Sequence, residues 1–178
     1  FAIFLERWVS LKREKVLPTS FVNTVEQLMT QKKISEAKVL CKENPSPVAR
    51  ILYTSVHHHG KKREYIKESI EEVGKQEAIG LSKNIGALGT VAHISPLLGL
   101  LGTVVGMTQV FHVISTQGVG NAQSLASGIS QALITTIAGL IVAIPTLIAH
   151  QYLKSKVKDL VVEIEEKALR MMDLCAGE

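Results

Sequence analysis

The sequence predicts an all-α membrane protein in which long transmembrane helices extend into the cytoplasm beside a small cytoplasmic helical cluster. Three observations carry this expectation. No Asp, Glu, Lys or Arg occurs between Lys83 and Lys154. That stretch holds two apolar runs, Ile85 to Ile114 and Leu125 to Leu153, each long enough for the ~20 residues a spanning helix needs. Charged segments with helical periodicity flank it on both sides. A soluble chain of 178 residues leaves too much of its surface in water to bury such a stretch, so a bilayer is the better solvent for it.

Taken in order, residues 1–10 read as the end of a truncated first transmembrane helix. Phe1-Ala2-Ile3-Phe4-Leu5 is apolar and ends in Glu6-Arg7, without the basic start or cleavage site of a signal peptide. Residues 11–83 form a cytoplasmic helical region. After Pro18, Thr19 and Ser20 offer caps for a helix carrying Phe21, Val22, Val25, Leu28 and Met29, and Ser35 offers one for a helix through Ala37, Leu40 and Cys41. Asn44-Pro45-Ser46-Pro47 stops that helix, and a third begins near Val48 with Ile51, Leu52 and Val56 on one side. From Arg63 a charged helix with Ile66, Ile70 and Val73 on one face runs toward the membrane with no convincing break, although Gly74 and Gly80 each cost about 1 kcal/mol against Ala. Residues 84–114 form a transmembrane helix, 115–123 an uncharged periplasmic turn, 124–153 a second transmembrane helix and 154–178 a cytoplasmic helical tail. In the tail, Val157, Leu160, Val161, Ile164, Ala168, Met171 and Cys175 alternate steps of three and four, a heptad-like seam. Lys and Arg concentrate on the two flanks of the hairpin, which places both flanks in the cytoplasm.

The formal charge of +4 comes from basic residues interspersed with Glu and Asp, a pattern of topology rather than of nucleic-acid binding. Cys41 and Cys175 lie on cytoplasmic segments, where thiols stay reduced, and both read as small apolar packing residues. His57-His58-His59 point in different directions on a helix, so no metal site is expected there. No catalytic residues are assigned: neither Ser/His/Asp nor paired carboxylates have supporting context, and an enzyme is not expected.

Within the hairpin the glycines Gly99, Gly102, Gly106 and Gly139 suit close helix packing. Pro96 and Pro145 interrupt the backbone ladders of the two spans and are candidate hinges. The second span carries a polar group, Gln131, Thr135 and Thr136. Gln131 and Thr135, four apart, share one face, while Thr136 sits with Ala132, Gly139 and Ala143 on a neighbouring small-residue face. Polar side chains at membrane depth face protein or a water-filled pathway. Only His93, His112 and His150 can titrate near neutral pH within the hairpin, so a proton path through it requires a carboxylate from another chain.

The run from Ile94-Ser95-Pro96 through Gly102-Thr103-Val104-Val105-Gly106-Met107, followed by Gly128-Ile129-Ser130-Gln131 through Thr135-Thr136-Ile137-Ala138-Gly139 to Ile144-Pro145, resembles the signature of the MotA/TolQ/ExbB proton channel family, and within it the ExbB subunits most. Glu6-Arg7-Trp8 through Val16-Leu17-Pro18 looks like that family's exit from its first span. The resemblance implies a three-span protein of the bacterial inner (cytoplasmic) membrane, a homopentamer enclosing an ExbD/TolR-like single-span partner dimer within its pore. It implies protons as the coupling ion, with no cofactor, and work delivered indirectly to a TonB-like protein that energises outer-membrane transport. By motif position Thr103 and Thr136 correspond to pore-lining threonines beside an aspartate of the partner, and Thr135 and Gln131 join them on the ion pathway. The position of Gln131 is a glutamate in the best-known ExbB and TolQ subunits, so here only a hydrogen-bonding role survives. A TolQ-like envelope motor, a sodium-coupled stator subunit and a nonconducting membrane scaffold are the alternatives.

Overall fold

The computed structural model describes residues 2–118 and 122–176. Every element among them is an α-helix. The chain divides into two compact units, one of residues 1–83 with 153–178 and the other of residues 84–152.

The first unit contains α1 (Ala2–Ser10), α2 (Arg13–Val16), α3 (Thr19–Thr30), α4 (Ile34–Glu43), α5 (Pro47–His57), α6 (Arg63–Ser82) and the final stretch of α8 (Ala122–Cys175). Its helices form where apolar residues recur every three or four positions, and most of those residues are buried, with Leu28, Leu40, Ile70 and Val73 half-buried. Phe21, Val22, Val25 and Met29 are buried in α3, Ile51, Leu52 and Val56 in α5, and Ile66 in α6. Each fully buried Leu, Ile or Val contributes about 1.5–3 kcal/mol over its exposed state. The seam of the tail forms as well: all its members are buried except Val161, which is half-buried, and Leu153 and Met172 extend it.

The start signals differ from the sequence reading. α3 begins at Thr19 with Pro18 in the cap position, and α4 begins at Ile34 after Lys33, neither with a side-chain cap. Among the described caps only that of α5 uses a hydroxyl: Ser46 Oγ accepts from the Ala49 amide at 3.3 Å, Pro47 opens the helix, and Asn44 Oδ1 accepts from the Ser46 amide. Gly60, at φ +81°, turns the chain from α5 to α6 while its amide donates to the Cys175 carbonyl at 2.9 Å. Arg13 pairs with Glu163 at 2.7 Å and Arg63 with Asp173 at 3.1 Å, tying early helices to the tail. Exposed pairs of this kind contribute at most about 1 kcal/mol each. Arg50 grips Glu77 through two bonds of 2.5 and 2.6 Å, and that hydrogen bonding raises the guanidinium's pKa further. The histidine run takes part in a ladder of rings, with His57 stacked on Tyr53 and His58 edge-on to Tyr65.

The second unit is an antiparallel pair formed by α7 (Ile85–Gln117) and the first part of α8. The expectation of an unbroken helix from Arg63 into the membrane is corrected here. α6 ends at Ser82, and Asn84 sits in the left-handed region at φ 62° before α7 begins. Asn is one of the few side chains that tolerate this conformation, so it can start a new helix where a β-branched residue could not. The expected turn at 115–123 is also shorter than read, because α7 runs to Gln117 and α8 starts at Ala122. Residues 119–121 of that turn lie outside the described residues.

α7 has 33 residues and α8 has 54, or ~50 and ~81 Å at 1.5 Å per residue. α8 is therefore more than twice as long as the ~30 Å hydrocarbon core, and its charged part from Lys154 onward lies beyond the apolar stretch. Both helices continue through their prolines, Pro96 and Pro145.

Candidate functional site

The face α7 turns toward α8 is built of small residues, and so is the face it meets. A Cβ at Gly139 would lie 2.6 Å from the Ser95 carbonyl oxygen and 3.1 Å from the Gly99 Cα. One at Gly99 would lie 3.0 Å from the Thr136 Cα, and one at Gly106 would lie 2.7 Å from the Ala132 Cβ. A Cβ at Gly102 would overlap the Thr135 side chain. Backbones therefore meet with nothing between them, the arrangement that holds helices together in lipid, where apolar surface alone gives no preference for protein over solvent. Two further glycines, not among the packing glycines expected from the sequence, belong to the same seam: Gly128 against Val110 and Gly89 against the ring of His150. The spacing Gly128-x-x-x-Ala132 was the available signal.

The polar residues sort by this seam. Thr135 and Thr136 both donate to the Gly99 carbonyl, each at 3.2 Å, and Thr135 also donates to Ala132 of its own helix at 2.7 Å. Consecutive residues point 100° apart, so the two threonines straddle the line of contact, with Ala132 and Ala143 buried along it. This revises the expected grouping. Gln131 is exposed, whereas Thr135 is half-buried in the seam with Thr136. The physical reason is that the boundary of the contact falls within the 40° separating positions 131 and 135. Thr103 is half-buried on α7, and its hydroxyl donates back to the Leu100 carbonyl at 2.6 Å. The structure thus joins Gly99, Gly102, Gly139, Thr135 and Thr136 in one locus. Gln131 stands outside it, and Thr103 bonds within its own helix.

Much of the rest of the surface of this unit is made of exposed large apolar side chains. Leu97 is 62% exposed, Ile141 66% and Ile148 65%. Large contiguous apolar surface marks contact with lipid or with other chains. Among the described residues no group of three metal-ligating side chains occurs.

The model of the MotA/TolQ/ExbB proton channel family matches residues 43–166, more than half of the chain. Similar proteins include a putative biopolymer transport protein ExbB homolog of Methanothermobacter thermautotrophicus, 28% identical over 86% of this chain and 54% of its own length. The biopolymer transport protein ExbB of Aquifex aeolicus is 39% identical over 48% of this chain and 57% of its own. The Tol-Pal system protein TolQ of Haemophilus influenzae is 39% identical over 46% of this chain and 36% of its own. The matches thus span little more than half the length of the first two relatives. With two helices long and apolar enough to cross a membrane and a family match through both, the chain belongs to the MotA/TolQ/ExbB proton channel family.

Proposed function

We propose that this chain is the channel-forming subunit of an ion-driven motor of the bacterial inner membrane, in the manner of ExbB. Five copies surround a dimer of an ExbD/TolR-like single-span partner, and protons crossing between them energise TonB-dependent transport at the outer membrane. The observation that carries the reading is the composition of the hairpin. It holds hydroxyls at Thr103, Thr135 and Thr136 but no Asp, Glu, Lys or Arg between Lys83 and Lys154, so it can orient water or an ion beside a carboxylate and supplies no carboxylate of its own. The partner's membrane aspartate supplies that group. Each charge crossing releases about 2.3 kcal/mol per 100 mV, and the family's motor needs no nucleotide. Gln131, being exposed on α8, is available to a neighbouring chain as a hydrogen-bonding group.

The test is ion flux in vesicles holding the chain with its partner. Substituting Thr103 and Thr136 together by Val is expected to reduce proton flux by about tenfold or more, with assembly unchanged. Equal flux in wild type and double variant removes the threonines from the pathway. Flux that follows sodium rather than pH replaces the proton by sodium. A complex that assembles normally but passes no ion leaves the scaffold reading.

A further inference from the structure

Between the threonine locus and the Lys154 end of the second span lies a gap. From Thr136 to His150 the helix climbs fourteen positions, or ~21 Å at 1.5 Å per residue. No side chain of α8 in that interval can hold a proton. On α7, from Gly89 to Gly99, only His93 can. A proton that has passed the threonines still has this distance to travel.

His150 has three unusual features. Its Nδ1 is buried and has no hydrogen-bond partner among the described residues, although leaving a buried polar atom unpaired is unfavourable. Its ring lies against Gly89, where a Cβ would come within 2.9 Å of Nε2 and 3.2 Å of Cδ2, so the glycine is what admits the imidazole. The same glycine carries a second imidazole, because His93 Nδ1 is bonded to the Gly89 carbonyl at 2.6 Å.

We propose that His150 is a proton relay residue at this end of the path, with His93 as its neighbour across Gly89; the proposal rests on the channel reading given above. In the neutral ring with its proton on Nε2, Nδ1 takes up a proton from a water on the threonine side. The imidazolium then releases the Nε2 proton to a second water toward the Lys154 end. Exchange between tautomers of the neutral ring restores the starting state, so no charge is stored and no other reactant is consumed. The titratable groups beside it in sequence and contact are His93, bonded to Gly89 on α7, and Tyr152 and Lys154 within one turn on α8; no Asp, Glu, Lys or Arg occurs within the unit itself.

The experiment is proton flux as a function of pH in vesicles containing the full chain and its single-span partner, for wild type and His150→Gln. Gln keeps a polar side chain of similar bulk but cannot carry a proton. The expected result is a flux lower by about tenfold or more, with loss of an imidazole-type inflection present in the wild type. Wild-type flux with an unchanged profile in the variant overturns the relay and leaves the channel reading intact. A lower flux with the inflection retained assigns His150 to packing and also overturns the relay. Absence of proton flux in the wild type overturns both. Nitrogen-15 spectra of the histidine-labelled wild-type complex need no variant: a His150 ring that changes protonation as pH is varied supports the relay, and one that never does overturns it.

Discussion

At the scale of single residues, the threonines of α8 are bound less tightly to the fold than their position suggests. Thr136 makes one hydrogen bond, to a Gly99 carbonyl that also receives one from Thr135. Replacing Thr136 by Val therefore leaves that carbonyl satisfied. It should cost no more than about 1 kcal/mol, measurable as a small shift in denaturation of the detergent-solubilised chain. A loss of flux in that variant then reports on the path rather than on folding. The two cysteines behave oppositely, being structural throughout. Burial pushes the Cys41 thiol up to about 12, with Cys175 nearby adding to the effect, and pushes Cys175 up to about 11. Thiolate is the reactive form, so neither should be alkylated in the native protein near neutral pH, and mass spectrometry after iodoacetamide treatment checks this. Both thiols are raised from an ordinary value of 9.0, so the folded state holds these protons longer than the unfolded one. Their contribution to stability is whole below about pH 9 and is lost as pH rises to about 11–12, which denaturation across that range would record.

At the scale of elements, glycine has opposite meanings in α6 and α8. A Cβ on Gly139 would meet the backbone of α7 at Ser95 and Gly99, which cannot give way as a side chain can. Gly139→Ala should destabilise the hairpin by about 1–3 kcal/mol. Gly74, inside α6, has open space around its Cβ position, and Gly74→Ala should stabilise by about 0.5–1 kcal/mol. Denaturation of the two variants in the same detergent compares them, and equal signs would contradict the packing described. The apolar spacing that set α3, α5, α6 and the tail seam was legible in the sequence because burial follows helical periodicity directly. The break at Asn84 was not, since it depends on one residue adopting φ 62° inside a pattern that otherwise continues. In the hairpin, α7 is apolar on nearly every side, so periodicity could not say which face meets α8. The small residues gave most of that face, and only coordinates separate Thr135 from Gln131. His150 was visible as a titratable residue, but its fit against Gly89 requires two helices in register.

At the scale of the molecule, the hairpin is unfinished by its own chemistry. It presents large apolar residues outward along both helices and contains hydroxyls without a carboxylate. An exposed face of this kind in a chain with two helices long and apolar enough to span a membrane calls for lipid and for other chains, and the proposed proton path takes its carboxylate from one of them. The most direct measurement is proton flux under an imposed pH gradient in vesicles holding this chain alone, with its single-span partner, or with the partner's membrane aspartate changed to asparagine. A carboxylate supplied by the partner predicts flux only with the unaltered partner. Equal flux from this chain alone, or from the complex with the asparagine partner, would contradict it.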